Sequence, residues 1–196
     1  MKQHVFVVHL HDATSLHYDF RLQIGDVMPS WAIPKGPPLD NTVKRLAMET
    51  TDHSMEYRHF EGVIEEGKYG AGPVMIWDEG TYIPEIEVTK ESNGSKASKE
   101  KSREEVTDFE KGDKAMKEGL KKGELKFFLH GKRLKGSFSL VKTKNFGPKN
   151  LPAGRQVSWL LIKHKDKYVK PGFDAKKITT SVVSGKTIEQ IREKTS

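Results

Sequence analysis

Between His17 and Leu22 the chain alternates without a break: His17, Asp19 and Arg21 fall at one parity, Tyr18, Phe20 and Leu22 at the other. A period of two is the repeat of a β-strand, whose successive side chains point to opposite faces. The stretch therefore has an aromatic face to bury and a face carrying an imidazole, a carboxylate and a guanidinium in a row. The aromatic face requires a core built from further strands. The polar face can be the wall of a site, and a barrel interior or mouth is where it would find shelter.

Further strands are available. Val5–Leu10 is apolar and β-branched, and Gly25-Asp26 marks a tight turn after the alternating segment. Val27–Ile33 reads as a strand interrupted by Pro29, which places it at an edge or bulge. The prolines of Pro34–Asp40 dictate an irregular loop, and Arg45–Thr50, Gly62–Glu65 and Val74–Trp77 read as further strands. Glycines 67, 70 and 72 bracket Lys68-Tyr69. Leu125–Leu129 and Leu134–Lys142 resemble a hairpin across His130-Gly131, and Val157–Ile162 is a last strongly apolar strand. Lys, Glu and Ser dominate Lys90–Lys111, which is expected to be a flexible loop, as is the Gly- and Pro-rich Asn145–Gln156. Asp113–Lys122 has helical character with Gly123 as its C′ residue, and Thr187 opens a short amphipathic helix. Many short strands with few helices argue for a mainly β chain, a small barrel or sandwich with helices as accessories. The expected division is a β unit over 1–168 and a basic, linker-like tail with a short helix over 169–196.

Cysteine is absent, so any metal must be held by His, Asp or Glu. No run approaches the roughly 18 apolar residues of a membrane helix, and the N-terminus has no secretory signal; a cytoplasmic protein is expected. The formal net charge of +7 favours a polyanionic partner, most simply nucleic acid, although solubility alone would also account for it.

His11 lies near the end of the strand before the alternating row, and Asp12–Ser15 reads as a turn that would fold His11 back beside His17. Two imidazoles and one carboxylate, from His11, His17 and Asp19, form the donor set of a facial site with open positions, suited to Mn²⁺, Fe²⁺ or Zn²⁺. Arg21 extends the row by about 7 Å, at about 3.4 Å of rise per residue. A guanidinium so near a divalent cation calls for an anion between them, and a phosphate gripped bidentately by Arg21 would fill that place. The plainer reading is a row of surface polar residues on a half-exposed strand. In Asp52–Tyr57, His53 can donate a proton to a leaving alkoxide or bind a phosphoryl oxygen, and Tyr57 can donate to the same oxygens. Lys35 and Arg45 are further phosphate-binding candidates.

These residues sit in an ordered series: F-V-V-x-x-H-D-A-x-x-L-H-Y-D-F-R-L, S-W-A-I-P-K-G-P, K-R-L-A, D-H-S-x-E-Y, F-E-G-V-I-E-E-G-x-Y-G-A-G, F-F-L-H-G-K-R-L-K-G-S-F-S-L-V-K and W-L-L-I-K. The series closely resembles the phosphoesterase domain of bacterial DNA ligase D and its free-standing relatives. The resemblance implies a closed eight-stranded β barrel flanked by short helices. It implies an enzyme that acts with Mn²⁺, or another divalent transition metal such as Co²⁺ or Zn²⁺, on 3′ ends of nucleic acid during end joining. There the family removes a 3′-terminal ribonucleoside to leave a 3′-phosphate, and hydrolyses that phosphate to a 3′-OH. By motif, His11, His17 and Asp19 correspond to metal ligands, Arg21 and His53 to phosphate binders, and Tyr57 to a further active-site position. Implied partners are primer–template ends and a separate ligase and polymerase; a monomer is expected, with no membrane association.

Some positions depart from the family. The chain starts almost at the first strand, where relatives carry an N-terminal arm, and this leaves the ribonucleoside step open. His9 replaces a frequent Gln, adding an extra ligand or proton carrier, and Thr51 replaces an acidic residue. Ser181–Thr187 resembles linker sequence, and a stand-alone enzyme is expected. Two other readings are a nucleic-acid-end binding module without catalysis and a phosphatase for small metabolites. The first has no use for a metal trio, and the second does not need the basic charge.

Overall fold

The computed structural model describes residues 2–91, 99–143 and 157–193. Strands β1 (His4–Asp12) and β2 (Leu16–Leu22) form a hairpin in which Phe6 lies opposite Leu22 and His11 opposite His17. Pro29, which cannot donate to a ladder, separates the two-residue β3 (Val27–Met28) from β4 (Ser30–Ile33). β5 (Lys44–Glu49) follows the proline-rich loop, and β6 (His53–Ser54) pairs with β3 in a small ribbon leading into a 3₁₀ turn, Met55–His59. The remaining elements are β7 (Gly62–Ile64), β8 (Gly72–Glu91), β9 (Lys99–Glu105), α1 (Phe109–Lys122), β10 (Glu124–Gly131), β11 (Lys135–Lys142), β12 (Ser158–Lys163) and α2 (Ile188–Glu193).

Eight strands close a barrel in the order β1-β2-β4-β5-β12-β11-β10-β8 and back to β1, every neighbour antiparallel. Its interior is filled by one parity of each strand, with β8 changing parity at a bulge opposite Val8-His9. Phe6, Tyr18, Phe20, Trp31, Trp77, Tyr82, Phe127, Phe138 and Trp159 are all buried there. Rings meet at 5.7 Å (Trp31–Trp159), 5.5 Å (Tyr18–Trp77) and 5.8 Å (Phe20–Phe127). Each large apolar side chain withdrawn from water contributes about 1.5–3 kcal/mol, so this filling is what holds the ring closed. The aromatic face of β2 thus takes the interior, and the His17-Asp19-Arg21 row lies on the barrel's outer wall. That corrects the expectation of an interior or mouth: the barrel is too full of rings to shelter a polar row, and shelter comes from segments laid over the outside.

α1 caps one end. Asp108 accepts from the Lys111 amide at 2.9 Å, Gly123 takes the left-handed C′ position at φ 81°, and Met116 enters the core. The helix begins before Asp113 because Phe109 stacks on His4 at 4.2 Å. The opposite end is covered by the C-terminal segment, whose Ala175, Ile188 and Ile191 join the core. Its backbone bonds the barrel at Val182 N–Ile76 O (3.0 Å) and Lys170 N–Leu39 O (2.9 Å). The linker-like tail expected over 169–196 is therefore, as far as residue 193, packed wall. Thr187 caps α2 as expected, in a reciprocal pair with Gln190.

The expected loop at 90–111 is also different. β9 pairs with β8 from Glu85–Glu105 to Glu91–Lys99. The hairpin runs beyond the barrel, and between Ile86 and Thr89 and between Ser102 and Glu105 no side chain is buried, so no apolar alternation marks it. Residues 92–98 and the expected loop at 145–156 lie outside the described residues. Among the described residues no helix is long and apolar enough to cross a membrane.

Candidate metal centre

The β1–β2 register builds the centre. His11 and His17 are direct cross-strand partners with ring centroids 4.9 Å apart, and Asp19 is two residues along the same face. One donor atom from each of the three lies within 4.8 Å of the others. The imidazoles are oriented by backbone. His11 Nε2 is 2.7 Å from the Gly70 carbonyl and His17 Nδ1 is 2.8 Å from the Ser15 carbonyl. A carbonyl only accepts, so those ring nitrogens carry the hydrogens. The lone pairs on His11 Nδ1 and His17 Nε2 are left facing Asp19, at 3.5 and 3.4 Å from its two oxygens. Two lone pairs turned on a carboxylate repel unless a cation stands among them. This is the outer support that metal-binding histidines use, and the donor set fits a divalent ion.

Protonation follows the same logic. Burial alone would raise the Asp19 carboxyl, but the adjoining His11 and His17 rings and the Arg21 charge hold it well below the usual carboxylate range. Burial opposes a charge on His17, yet the bond and charge of Asp19 raise its pKa above the ordinary 6.5. A proton is favoured where a metal would sit.

Arg21 is 2% exposed, and its fork is occupied by protein. Nη2 donates to Asp19 (2.9 Å), Nη1 to Ser30 Oγ (2.8 Å) and His53 Nδ1 (2.8 Å), and Nε to His9 Nδ1 (3.2 Å). The anion between guanidinium and centre is Asp19 itself. Of the five N–H bonds of an arginine these use four, which leaves a single Nη2 hydrogen rather than a bidentate fork for a phosphate. Because a guanidinium only donates, His53 Nδ1 is the acceptor and its Nε2 carries the proton. Burial and then the Arg21 charge lower the His53 pKa, so the ring is a neutral donor at neutral pH. Tyr57, on the 3₁₀ turn, stacks on Phe60 (5.1 Å) and lies 5.1 Å from the guanidinium carbon; burial raises its pKa and keeps the hydroxyl protonated.

His9, expected as an extra ligand or proton carrier, is neither in this arrangement. It is fully buried, its Nδ1 is taken by Arg21, and burial followed by the Arg21 charge pushes its pKa down to about 3. His11, His17, Asp19, Arg21, His53 and Tyr57 all line one cavity of about 810 Å³. Lys35 and Arg45 do not line it: Lys35 is exposed on the turn after β4, and Arg45 on β5 acts on Asp40. Two supports escape the sequence reading. Ser30 lies opposite Arg21 in the β2–β4 register, so strand pairing would have found it, and Gly70 is one of the glycines bracketing Lys68-Tyr69.

With this geometry established, likeness to known proteins can be placed on it. A family described as the DNA ligase D 3′-phosphoesterase domain matches residues 9–142. The multifunctional non-homologous end joining protein LigD of Pseudomonas aeruginosa is 40% identical over 161 residues, covering 82% of this chain and 15% of that protein. The LigD of Mycolicibacterium smegmatis is 36% identical over 140 residues, 71% of this chain and 15% of the relative. The LigD of Mycobacterium tuberculosis is 52% identical over 80 residues, 41% of this chain and 10% of the relative. This chain thus corresponds to a small part of each.

Proposed function

Because the chain belongs to the DNA ligase D 3′-phosphoesterase domain family, we propose that it is a metal-dependent hydrolase of phosphate esters at nucleic-acid 3′ ends, acting in non-homologous end joining. One observation carries the reading. His11 and His17, each fixed through its outer N–H by a backbone carbonyl, aim lone pairs at the Asp19 carboxylate inside a cavity. His11, His17 and Asp19 would hold the ion, Mn²⁺ by our assignment with Co²⁺ or Zn²⁺ as substitutes. Bound there, it would act as Lewis acid and template for a phosphoryl oxygen.

The remaining residues position and neutralise. Arg21 holds Asp19, His53 and Ser30 in one plane and offers its last Nη2 hydrogen toward the cavity. His53 Nε2–H and the Tyr57 hydroxyl are neutral donors for the oxygens of the transferring group, where charge develops. The basic chain draws the polyanion. The product, a 3′-OH, is what a ligase or polymerase needs, and such enzymes would use it next.

Release of inorganic phosphate from a primer–template with a 3′-phosphate, with and without Mn²⁺, tests the proposal. Metal-dependent release, absent in His17→Ala, is expected. Tight binding of ends with no release in any metal would leave an end-binding module instead. A 3′-ribonucleoside substrate in the same assay reads the second step.

A further inference from the structure

The cavity is larger than its phosphate chemistry needs. About 810 Å³ is several times the space of a phosphate, and Pro34, Met48, Phe60, Val63 and Ile64 add an apolar wall that a phosphate or metal does not use. On its rim stands Tyr69, 96% exposed, by far the most exposed large hydrophobic side chain among the described residues. An aromatic ring left in water at the edge of a site for a polyanion asks for an occupant.

The ring is held there by construction. Two successive turns, Lys68 N–Glu65 O (3.2 Å) and Ala71 N–Lys68 O (3.1 Å), lift Lys68-Tyr69 to a tip. Gly67 at φ 85° and Gly70 at φ 75° take the left-handed positions these turns need. The Gly70 carbonyl that ends the second turn is the acceptor that orients His11. A hydrogen bond thus ties the tip to the metal trio, and Tyr69 and the trio line the same cavity.

We propose that Tyr69 is a stacking platform for the nucleobase of the 3′-terminal nucleotide, and so selects nucleic-acid ends over small phosphate esters; this rests on the reading of the site as a 3′-end phosphoesterase. Tyrosine offers a flat face to any base, so the contact would be strong without sequence preference. Lys68, ion-paired to Glu65 at 2.6 Å on the same tip, brings a cation to the same rim.

The test uses full-length protein as wild type, Tyr69→Ala and Tyr69→Phe, and three substrates: a primer–template with a base-bearing 3′-phosphate end, one with an abasic 3′-phosphate end, and a small alkyl phosphate. Tyr69→Ala should raise KM for the base-bearing end by about 5- to 150-fold, the range of one lost base stack. Tyr69→Phe should stay near wild type, and the abasic end and alkyl ester, which have no ring to stack, should be indifferent to either variant. Equal KM for wild type and Tyr69→Ala on base-bearing ends, or an equal loss on abasic ends, overturns the proposal. A second readout needs no turnover: 2-aminopurine as the terminal base, in metal-free buffer, should be quenched by wild type and Tyr69→Phe but not by Tyr69→Ala. Such quenching together with no phosphate release in any metal would sink the hydrolase reading and leave the platform standing. Absence of any Tyr69-dependent quenching would sink the platform whatever the activity.

Discussion

Asp19→Ala should destabilise the metal-free protein, because Asp19 is the counter-ion of a guanidinium that is almost wholly withdrawn from water. Asp19 is 6% exposed and Arg21 2%, and their contact is 2.9 Å. Removing one member of a buried pair leaves the other charge uncompensated, which costs about 3–5 kcal/mol. For a chain of this size each kcal/mol shifts Tm by roughly 2–4 °C, so a fall of about 6–20 °C is expected. Urea unfolding in EDTA, followed by fluorescence of the buried Trp31, Trp77 and Trp159, measures the loss without interference from metal. Arg21→Met in the Asp19→Ala background should recover much of it, since the orphan charge is then gone. The pH dependence has a definite sign. The Asp19 carboxyl is held below its unfolded value, so its contribution is complete above about pH 4 and fades as pH falls from there toward the folded pKa. The difference between wild type and Asp19→Ala must shrink over that acid limb. An Asp19→Ala protein within about 1 kcal/mol of wild type at pH 7, well below the cost of an orphaned buried charge, would refute the reasoning. So would additive losses in the double variant.

Three other outcomes follow from the same geometry. Arg21→Lys should lower turnover by about 100-fold in single-turnover assays, because one ammonium cannot hold Asp19, Ser30, His53 and His9 in place together. Metal affinity should fall as pH drops through the raised His17 pKa and level off above it, since the ion must displace that proton; Mn²⁺ titrations across pH check the direction. Gly70→Ala should weaken metal binding by about 10-fold or more, as it loses the φ 75° backbone and sets a Cβ 3.2 Å from His11 Cε1; calorimetric titration reads the loss.

The alternation at His17–Leu22 disclosed both faces of β2, and the row on the polar face is the row that meets His11, because a hairpin turn at 13–15 permits only that register. Alternation does not say which face becomes the inside of a closed sheet. Here the ring content decided it, and the site went to the outer wall. The sequence also showed Arg21 in line without showing what surrounds it: Ser30, His53 and His9 arrive from three other segments, and together they turn an expected phosphate fork into a scaffold. β9 escaped because its strand carries no apolar period: what ties it to the barrel is polar, Arg103 bonding Glu85, Ser137, Ser139 and His164. The segment after 168 escaped because its hold on the barrel is a few scattered residues, Ala175, Ile188 and Ile191, and main-chain bonds that leave no composition signal.

Mn²⁺ titration of wild type, His11→Ala, His17→Ala and His53→Ala, side by side and free of substrate, addresses the centre most directly. Wild type should bind at a single site, both ligand variants should lose most of that affinity, and His53→Ala should keep it, because His53 faces Arg21 and not the trio. Unchanged binding in His11→Ala and His17→Ala, or loss of the ion in His53→Ala, would contradict the assignment of the metal to His11, His17 and Asp19.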